Sequence, residues 1–252
     1  MNFIKLDNVD LDLPVGRVPL KGFFRQKSKG DERLSLDGDG VVHALRSISL
    51  DIQSGSRVGL VGVNGAGKST LLRVLAGIYG PTRGNYSAHG RISTLFVNGV
   101  GMNMNASGRE NIFLVGRTLG MSRAEIRDIE ADIVEFIDIG DFIDLPMRLY
   151  SAGMQTRLGF AVATAIKPEI LLIDEVFGVG DAAFRARAQA RIEKIIGDAG
   201  IFVMATHADA TIEKLCDRVC WIDKGKVRFD GPSAEGMRAY QDHMKALKAA
   251  NS

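Results

Sequence analysis

Cysteine is scarce in this 252-residue chain, which has only Cys216 and Cys220. Set four apart where a helical pattern runs into a strand pattern, they suit buried thiols better than a disulfide framework or a metal site, and a reducing cytoplasm is expected. A strong charge imbalance is lacking too: 32 Lys and Arg against 30 Asp and Glu leave a formal charge of +2. The broad basic field of a nucleic-acid binder is therefore missing, and no nucleic-acid partner is expected. Long apolar runs are absent as well. The longest stretch without Asp, Glu, Lys or Arg, residues 92–108, carries Asn98, Asn103, Asn105 and several glycines, whereas a spanning helix needs about 20 mostly apolar residues. Asp7, Asp10 and Asp12 interrupt the early apolar positions, so no secretion leader is expected. What is present, 46% hydrophobic and 25% charged residues, is enough to bury a sizeable core, as one large domain or a core with a subdomain. The expectation is a soluble chain whose membrane role, if it has one, runs through a partner.

Residues 3–13 alternate apolar and polar, and 48–52 do so again, which predicts half-buried strands of an antiparallel N-terminal layer. Between them residues 17–40 mix Lys, Arg, Asp and Gly around Val18, Leu20, Phe23 and Phe24. That segment reads as a short amphipathic element and a solvated loop, either a surface insertion or a docking segment. Residues 58–61 form a short apolar run of the buried-strand kind, and 68–76 continue as a helix. Ser107-Gly108-Arg109-Glu110 and Ser122-Arg123-Ala124-Glu125 both match the capping box, and Ile126, Ile129, Ile133 and Ile137 share one helical face. A helical insert is predicted over 105–165. Strand 170–173, helix 182–196, strand 201–205, helix 209–216 and strand 219–222 then alternate, the order of an α/β parallel sheet with helices on its faces. Asp223-Lys224-Gly225-Lys226 turns 221–222 back on 227–229 as a hairpin. A helix begins near Ser233, and the Ala- and Lys-rich last dozen residues are expected to fray.

Gly62-Val63-Asn64-Gly65-Ala66-Gly67-Lys68-Ser69-Thr70 fits the phosphate-loop pattern G-x-x-x-x-G-K-[ST] without a mismatch. It stands between a strand and a helix, as its chemistry requires. Gly62, Gly65 and Gly67 let the backbone turn its N–H groups toward phosphates, with Asn64 and Ala66 in the same cradle. Lys68 neutralises the β and γ phosphates, Ser69 offers a hydroxyl to Mg²⁺, and Thr70 caps the helix or contacts the α-phosphate. ATP and Mg²⁺ are the expected cofactors. Residues 169–175 bury a central strand and deliver Asp174 and Glu175 at its C-terminal edge, where open α/β sheets bind ligands. Asp174 suits the metal's water shell; Glu175 polarises the attacking water as a general base or pairs with a nearby Arg. His207, after the next strand, is either a donor to the γ-phosphate or a structural histidine. Ser151-Ala152-Gly153-Met154-Gln155 by itself is a helix start, capped by a serine and small enough for a ligand to approach the positive end.

Gly62 to Thr70, Ser151 to Gln155, residues 170–175, Gly178-Val179-Gly180-Asp181 and His207, in that order, resemble the ATP-binding cassette (ABC) family over nearly the whole chain. The resemblance implies a RecA-like P-loop NTPase core with an antiparallel β layer and a helical subdomain. The β layer and core would take 1–98 and 166–232, the helical subdomain with the signature 99–165, and a C-terminal helix and tail 233–252. It also implies two copies packed head to tail. The signature residues Ser151, Gly153, Met154 and Gln155 of one copy then complete the ATP site of the other, and Asp181 is the aspartate of the loop joining the two sites. Glu175 and His207 become catalytic, and Ser69 and Asp174 the metal-binding pair.

Tyr150-Ser151-Ala152-Gly153-Met154-Gln155 stands where the common signature reads LSGGQ, and its Tyr-Ser-x-Gly-Met form resembles the subfamily that exports O-antigen, capsule or related polysaccharides. Gly108-Arg109-Glu110-Asn111-Ile112 and Val179-Gly180-Asp181-Ala182-Ala183-Phe184 agree with it. This implies a peripheral ATPase at the cytoplasmic face of the inner membrane, driving an integral membrane permease that handles the polysaccharide. The alternatives are the ATPase of a drug or lipid exporter, or a soluble ABC protein of translation or DNA repair. Two positions depart from the family. Its usual glutamine is not found between Leu95 and Gly108, where Asn98 is the nearest polar residue and Val97 stands where a carboxylate is common in the subfamily. The adenine-stacking residue stays open among His43, Phe23 and Phe24.

Overall fold

The computed structural model describes residues 1–14, 34–35, 40–95, 101–174 and 182–250. Its first half runs β1 (Phe3–Pro14), β2 (Leu34–Ser35), β3 (Val41–Gln53), β4 (Arg57–Val61), α1 (Lys68–Leu75), β5 (Arg83–His89), β6 (Ile92–Leu95), α2 (Gly108–Thr118) and α3 (Arg123–Ile137). Then follow α4 (Ala152–Ala163), β7 (Ile170–Asp174), α5 (Ala182–Asp198), β8 (Ile201–Ala205), α6 (Asp209–Leu215), β9 (Arg218–Asp223), β10 (Lys226–Pro232) and α7 (Ser233–Ala250). The chain is α/β and divides into two compact units, Met1–Gly90 with Gly200–Ser252, and Arg91–Ala199.

In the first unit an antiparallel sheet of order β2-β3-β1-β5 realises the alternation read from the N-terminus. Ile4 faces Ile52 and Leu6 faces Leu50, and all four are buried while Lys5 and Asp51 between them are exposed. A period of two thus places one face inside and one outside. The strand β5 carries too few apolar residues to announce itself; it is held by pairing with β1 and by the Tyr86 hydroxyl, which donates to the Leu75 carbonyl at 2.9 Å. The amphipathic element expected over 17–40 lies outside the described residues apart from β2 and Gly40.

The same unit holds the parallel strands that carry chemistry. β4 pairs in parallel with β8 and with β9, Leu60 facing Ala205 on one side and Cys220 on the other. Every residue of β8 is buried, as a strand covered on both faces requires. Both cysteines are free and buried, and burial pushes the Cys216 thiol up to about 12 and that of Cys220 up as well. The C-terminal residues differ from the expectation of fraying, because α7 stays helical to Ala250. Its Tyr240 and His243 rings lie 5.9 and 5.0 Å from the ring of Trp221 on β9, which fastens the helix to the sheet.

In the second unit β6 and β7 pair in parallel, Leu95 facing Ile173. Around them α2, α3 and α4 bury one cluster that includes Ile112, Val115, Ile126, Ile133, Ile137 and Leu158, with Ile129 packed partly against it. Both capping boxes form: Ser107 and Glu110 exchange bonds of 3.2 and 2.7 Å, and Ser122 and Glu125 do the same.

Candidate nucleotide site

The strand β4 ends at Val61 and the chain turns at once into the phosphate loop. Gly62 has φ 153°, and a Cβ there would lie 2.2 Å from the Ile222 carbonyl oxygen, so the neighbouring strand packs directly on the loop's first residue. Gly67, at φ 112°, is the left-handed N-cap of α1, and its missing Cβ would press on Leu45 and on the Ala44 carbonyl at 3.2 and 3.3 Å. Only glycine meets both demands without strain. Among the described residues, its own chain neighbours aside, no atom lies within 4 Å of the Cβ position of Gly65, at the middle of the loop. The buried Ala66 anchors the loop: its N–H donates to the Val63 carbonyl at 3.0 Å and its carbonyl accepts from the Gly225 N–H at 2.8 Å.

Lys68 is buried, and its Nζ donates to the Gly62 carbonyl at 2.7 Å and the Val63 carbonyl at 3.3 Å. Its ammonium is thus held within the loop by the loop's own backbone. The first turn of α1 contains no acidic residue, and its leading N–H groups precede the helix's own acceptors. A positive helix end and a fixed ammonium converge on one glycine-rich loop, which fits a polyphosphate.

His207 is exposed and follows Thr206, whose Oγ1 accepts from the Ala208 N–H at 3.1 Å. Because β8 lies beside β4 in parallel, His207 and Gly62 leave the same end of neighbouring strands. Asp174 ends β7 and is half-buried. Glu175, Asp181, Asn98, Val97, Phe23 and Phe24 lie outside the described residues. His43 is engaged across the antiparallel sheet, its Nδ1 2.6 Å from Asp12 Oδ1.

Ser151 is the N-cap of α4, its Oγ accepting from the Met154 N–H at 3.2 Å. Ser151, Ala152 and Gly153 are exposed, and among the described residues an added Cβ at Gly153 would meet Ser151 Oγ alone, at 3.8 Å. The other two signature residues turn inward: Met154 packs partly against the helical cluster. Gln155 donates through Nε2 to the carbonyls of Tyr150 at 3.3 Å and Met147 at 3.5 Å, bracing the turn that leads into the helix.

Asn111 has a structural weight that the sequence reading missed. Fully buried in α2, it accepts from the Asn103 N–H at 2.7 Å, and its Nδ2 donates toward the carbonyls of Ser107, Asn103 and Ala106 at 2.8, 2.9 and 3.2 Å. One amide therefore clasps the chain of 103–107 onto the helix and leaves Met104 outside, 42% exposed. The available signal was an asparagine in the buried stripe beside Ile112 and Val115.

A family model described as ABC transporter matches residues 45–178. An O-antigen export system ATP-binding protein of Yersinia enterocolitica is 48% identical over 74% of this chain and 78% of its own length. One from Myxococcus xanthus is 43% identical over 84% of this chain, which spans only 48% of that relative. A teichoic acids export ATP-binding protein of Shouchella clausii is 39% identical, with 89% of this chain and 60% of the relative aligned. Among solved structures, the ATP-binding subunit of an ABC transporter shares the fold at a TM-score of 0.68 and 21% identity, covering 95% of this chain and 93% of that one. A dimeric ATP-binding cassette in a post-hydrolysis state, bound to ADP and Pi, follows at 0.63 and 21%, covering 91% and 98%.

Proposed function

The chain belongs to the ABC transporter family, and we propose that it is the ATP-hydrolysing subunit of an exporter of O-antigen, capsule or a related polysaccharide. The observation that carries this reading is the 48% identity to an O-antigen export ATP-binding protein, joined to a loop built for a polyphosphate. ATP enters with its β and γ phosphates on the amides of residues 62–70, and Lys68 exchanges the carbonyls of Gly62 and Val63 for charged oxygens. Ser69 and Asp174 would hold Mg²⁺, which would supply positive charge to the phosphate oxygens. Glu175 takes the proton of the attacking water, and His207 donates to the γ-phosphate. Ser151 and Gly153 of a second copy, packed head to tail, close the site from the other side.

Closing and reopening of the pair drives a membrane permease, which handles the glycan itself. No helix among the described residues is long and apolar enough to cross a membrane, and this reading gives the span to the partner. In the second unit Met104, Phe142, Leu145 and Leu149 are 42, 45, 41 and 54% exposed, an apolar set suited to docking on the permease from the cytoplasmic face. Co-expression with a six-helix membrane protein encoded beside glycosyltransferases tests the reading. The two should co-purify, and Glu175→Gln should keep ATP binding while turnover stops. Near-normal turnover in that variant, or purification without any membrane subunit, overturns it.

A further inference from the structure

Phe184 lies in the first turn of α5, three residues after Asp181, and is fully buried. Two rings from other helices meet it edge-on, Phe136 of α3 at 5.2 Å and Phe160 of α4 at 5.9 Å. Phe136 and Phe160 in turn stack on one another at 6.0 Å. Cations surround this triad. Arg157, on α4 six residues beyond Ser151, sets its guanidinium 5.1 Å from the Phe184 centroid, and its Nη1 lies 3.5 Å from the Ile137 carbonyl at the end of α3. Arg187 lies 5.8 Å from both Phe136 and Phe184, and Arg191, paired with Asp132, lies 4.5 Å over Phe136.

Burial alone does not require this arrangement, since a leucine triad would exclude water equally well. Ring edges and stacked guanidinium groups add what leucine lacks, a preferred direction of approach. The geometry points to Arg157 and Phe184 as positioning residues that tie the start of α4, where Ser151 lies, to the start of α5, directly after Asp181. The helix α4 is a rigid rod between Ser151 and Arg157, about 9 Å at 1.5 Å per residue. A shift of α5 at Phe184 is therefore delivered to the Ser151 end. In the head-to-tail pair, the two segments that face the other copy then move as one body. This rests on the reading of Ser151 as a contact made in trans, and adds to it the side chains that hold Ser151 at its working distance.

The test uses the full chain and measures kcat, ATP affinity and melting temperature for Arg157→Lys, Phe184→Leu, the double variant and Ser151→Ala. Arg157→Lys keeps the charge but not the stacking plane, and remains informative if Phe184→Leu folds poorly. A lost positioning contact should lower kcat about tenfold or more, with ATP affinity unchanged in both singles and melting temperature unchanged in Arg157→Lys. The double variant should be no worse than the weaker single, because the pair acts as one unit. If Ser151→Ala loses turnover while Arg157→Lys keeps kcat within twofold of the parent, the positioning role is overturned. Losses that multiply in the double variant, or a loss in Arg157→Lys that follows its melting temperature, overturn it too. If Ser151→Ala itself turns over normally, it is the trans reading that falls.

Discussion

Four helices in this chain begin in two different ways. α2 and α3 each satisfy themselves: a serine caps the start, and a glutamate at the third helical position reaches back to it. Those carboxylates also sit at the positive helix ends. α4 starts with the same serine cap, yet its third position is Met154 and its first turn holds no acidic residue. α1 starts from Gly67 without any side-chain cap, again with no acid in the first turn. The closed starts are complete within one chain. The open ones carry no carboxylate in the first turn at their positive end, and they are the two starts at which the proposed site residues stand. In α4 the capping motif with one residue changed thus marks a helix start proposed as site rather than scaffold.

The strongest way to break the comparison is at α1. Lys68→Ala removes the cation while leaving the helix start open, and ATP affinity should fall on the order of 100-fold, the worth of a charge-assisted phosphate contact of about 2–3 kcal/mol. Titration of the purified chain with a fluorescent ATP analogue measures it. Unchanged affinity would mean that the amides alone hold the phosphates. At α4 the conversion runs the other way. Met154→Glu completes the capping box, as Glu110 does in α2, its carboxylate reaching back to the helix start that is proposed to meet the other copy's γ-phosphate. The completed cap should offset the lost packing of Met154 on the helical cluster, while kcat drops about 10- to 100-fold from the lost electrostatic stabilisation. Met154→Gln, which closes the start without charge, should fall between. Full turnover in Met154→Glu would show that the open start of α4 has no anion to meet.

The sequence made the closed starts legible and only half of the open ones. S-x-x-E before an apolar stripe is a local pattern, and both boxes formed where it occurs. The strand β4, the phosphate loop and α1 were equally plain, because an apolar run, spaced glycines and a helical stripe follow one another without a gap. The strand β5 was not, since its sequence Arg-Gly-Asn-Tyr-Ser-Ala-His owes its conformation to pairing with β1 rather than to its own pattern. Gln155 and Asn111 were opaque for a related reason. An amide can face a ligand or the chain's own carbonyls, and only packing decides: here Gln155 turns to Tyr150 and Met147, and Asn111 to residues 103–107. The α7 tail, rich in Ala and Lys, reads as weakly held; the rings of Tyr240 and His243 meet Trp221, which stands about twenty residues earlier in the chain, a contact that no local pattern announces.

The closed starts give smaller effects. Ser107→Ala should cost about 1 kcal/mol, lowering the melting temperature by about 2–4 °C in a chain of this size, with ATP affinity untouched. A loss of ATP binding in that variant would erase the line between the two kinds of helix start.

The least effect, and the cleanest in sign, concerns Glu125. Hydrogen bonds from the Ser122 backbone N–H and hydroxyl, helped by Arg91, hold its carboxyl below the ordinary value of 4.5. The folded state therefore releases this proton at lower pH than the unfolded state does. The stability it contributes is present above about pH 4.5 and is lost as pH falls through the depressed folded value. Because the group is exposed, the change is small and best read as a difference between two proteins. Melting curves from pH 7 to 3 should converge for the parent and Glu125→Gln at the acid end, the parent being the more stable only above that range. A gap that persists unchanged at pH 3 would place the cap's worth in packing rather than in the charge. Met154→Glu carries the same logic to α4: a new carboxylate in a working capping box should give that variant an acid-dependent stability that the parent α4 lacks, so a single titration would show whether an open start has been closed.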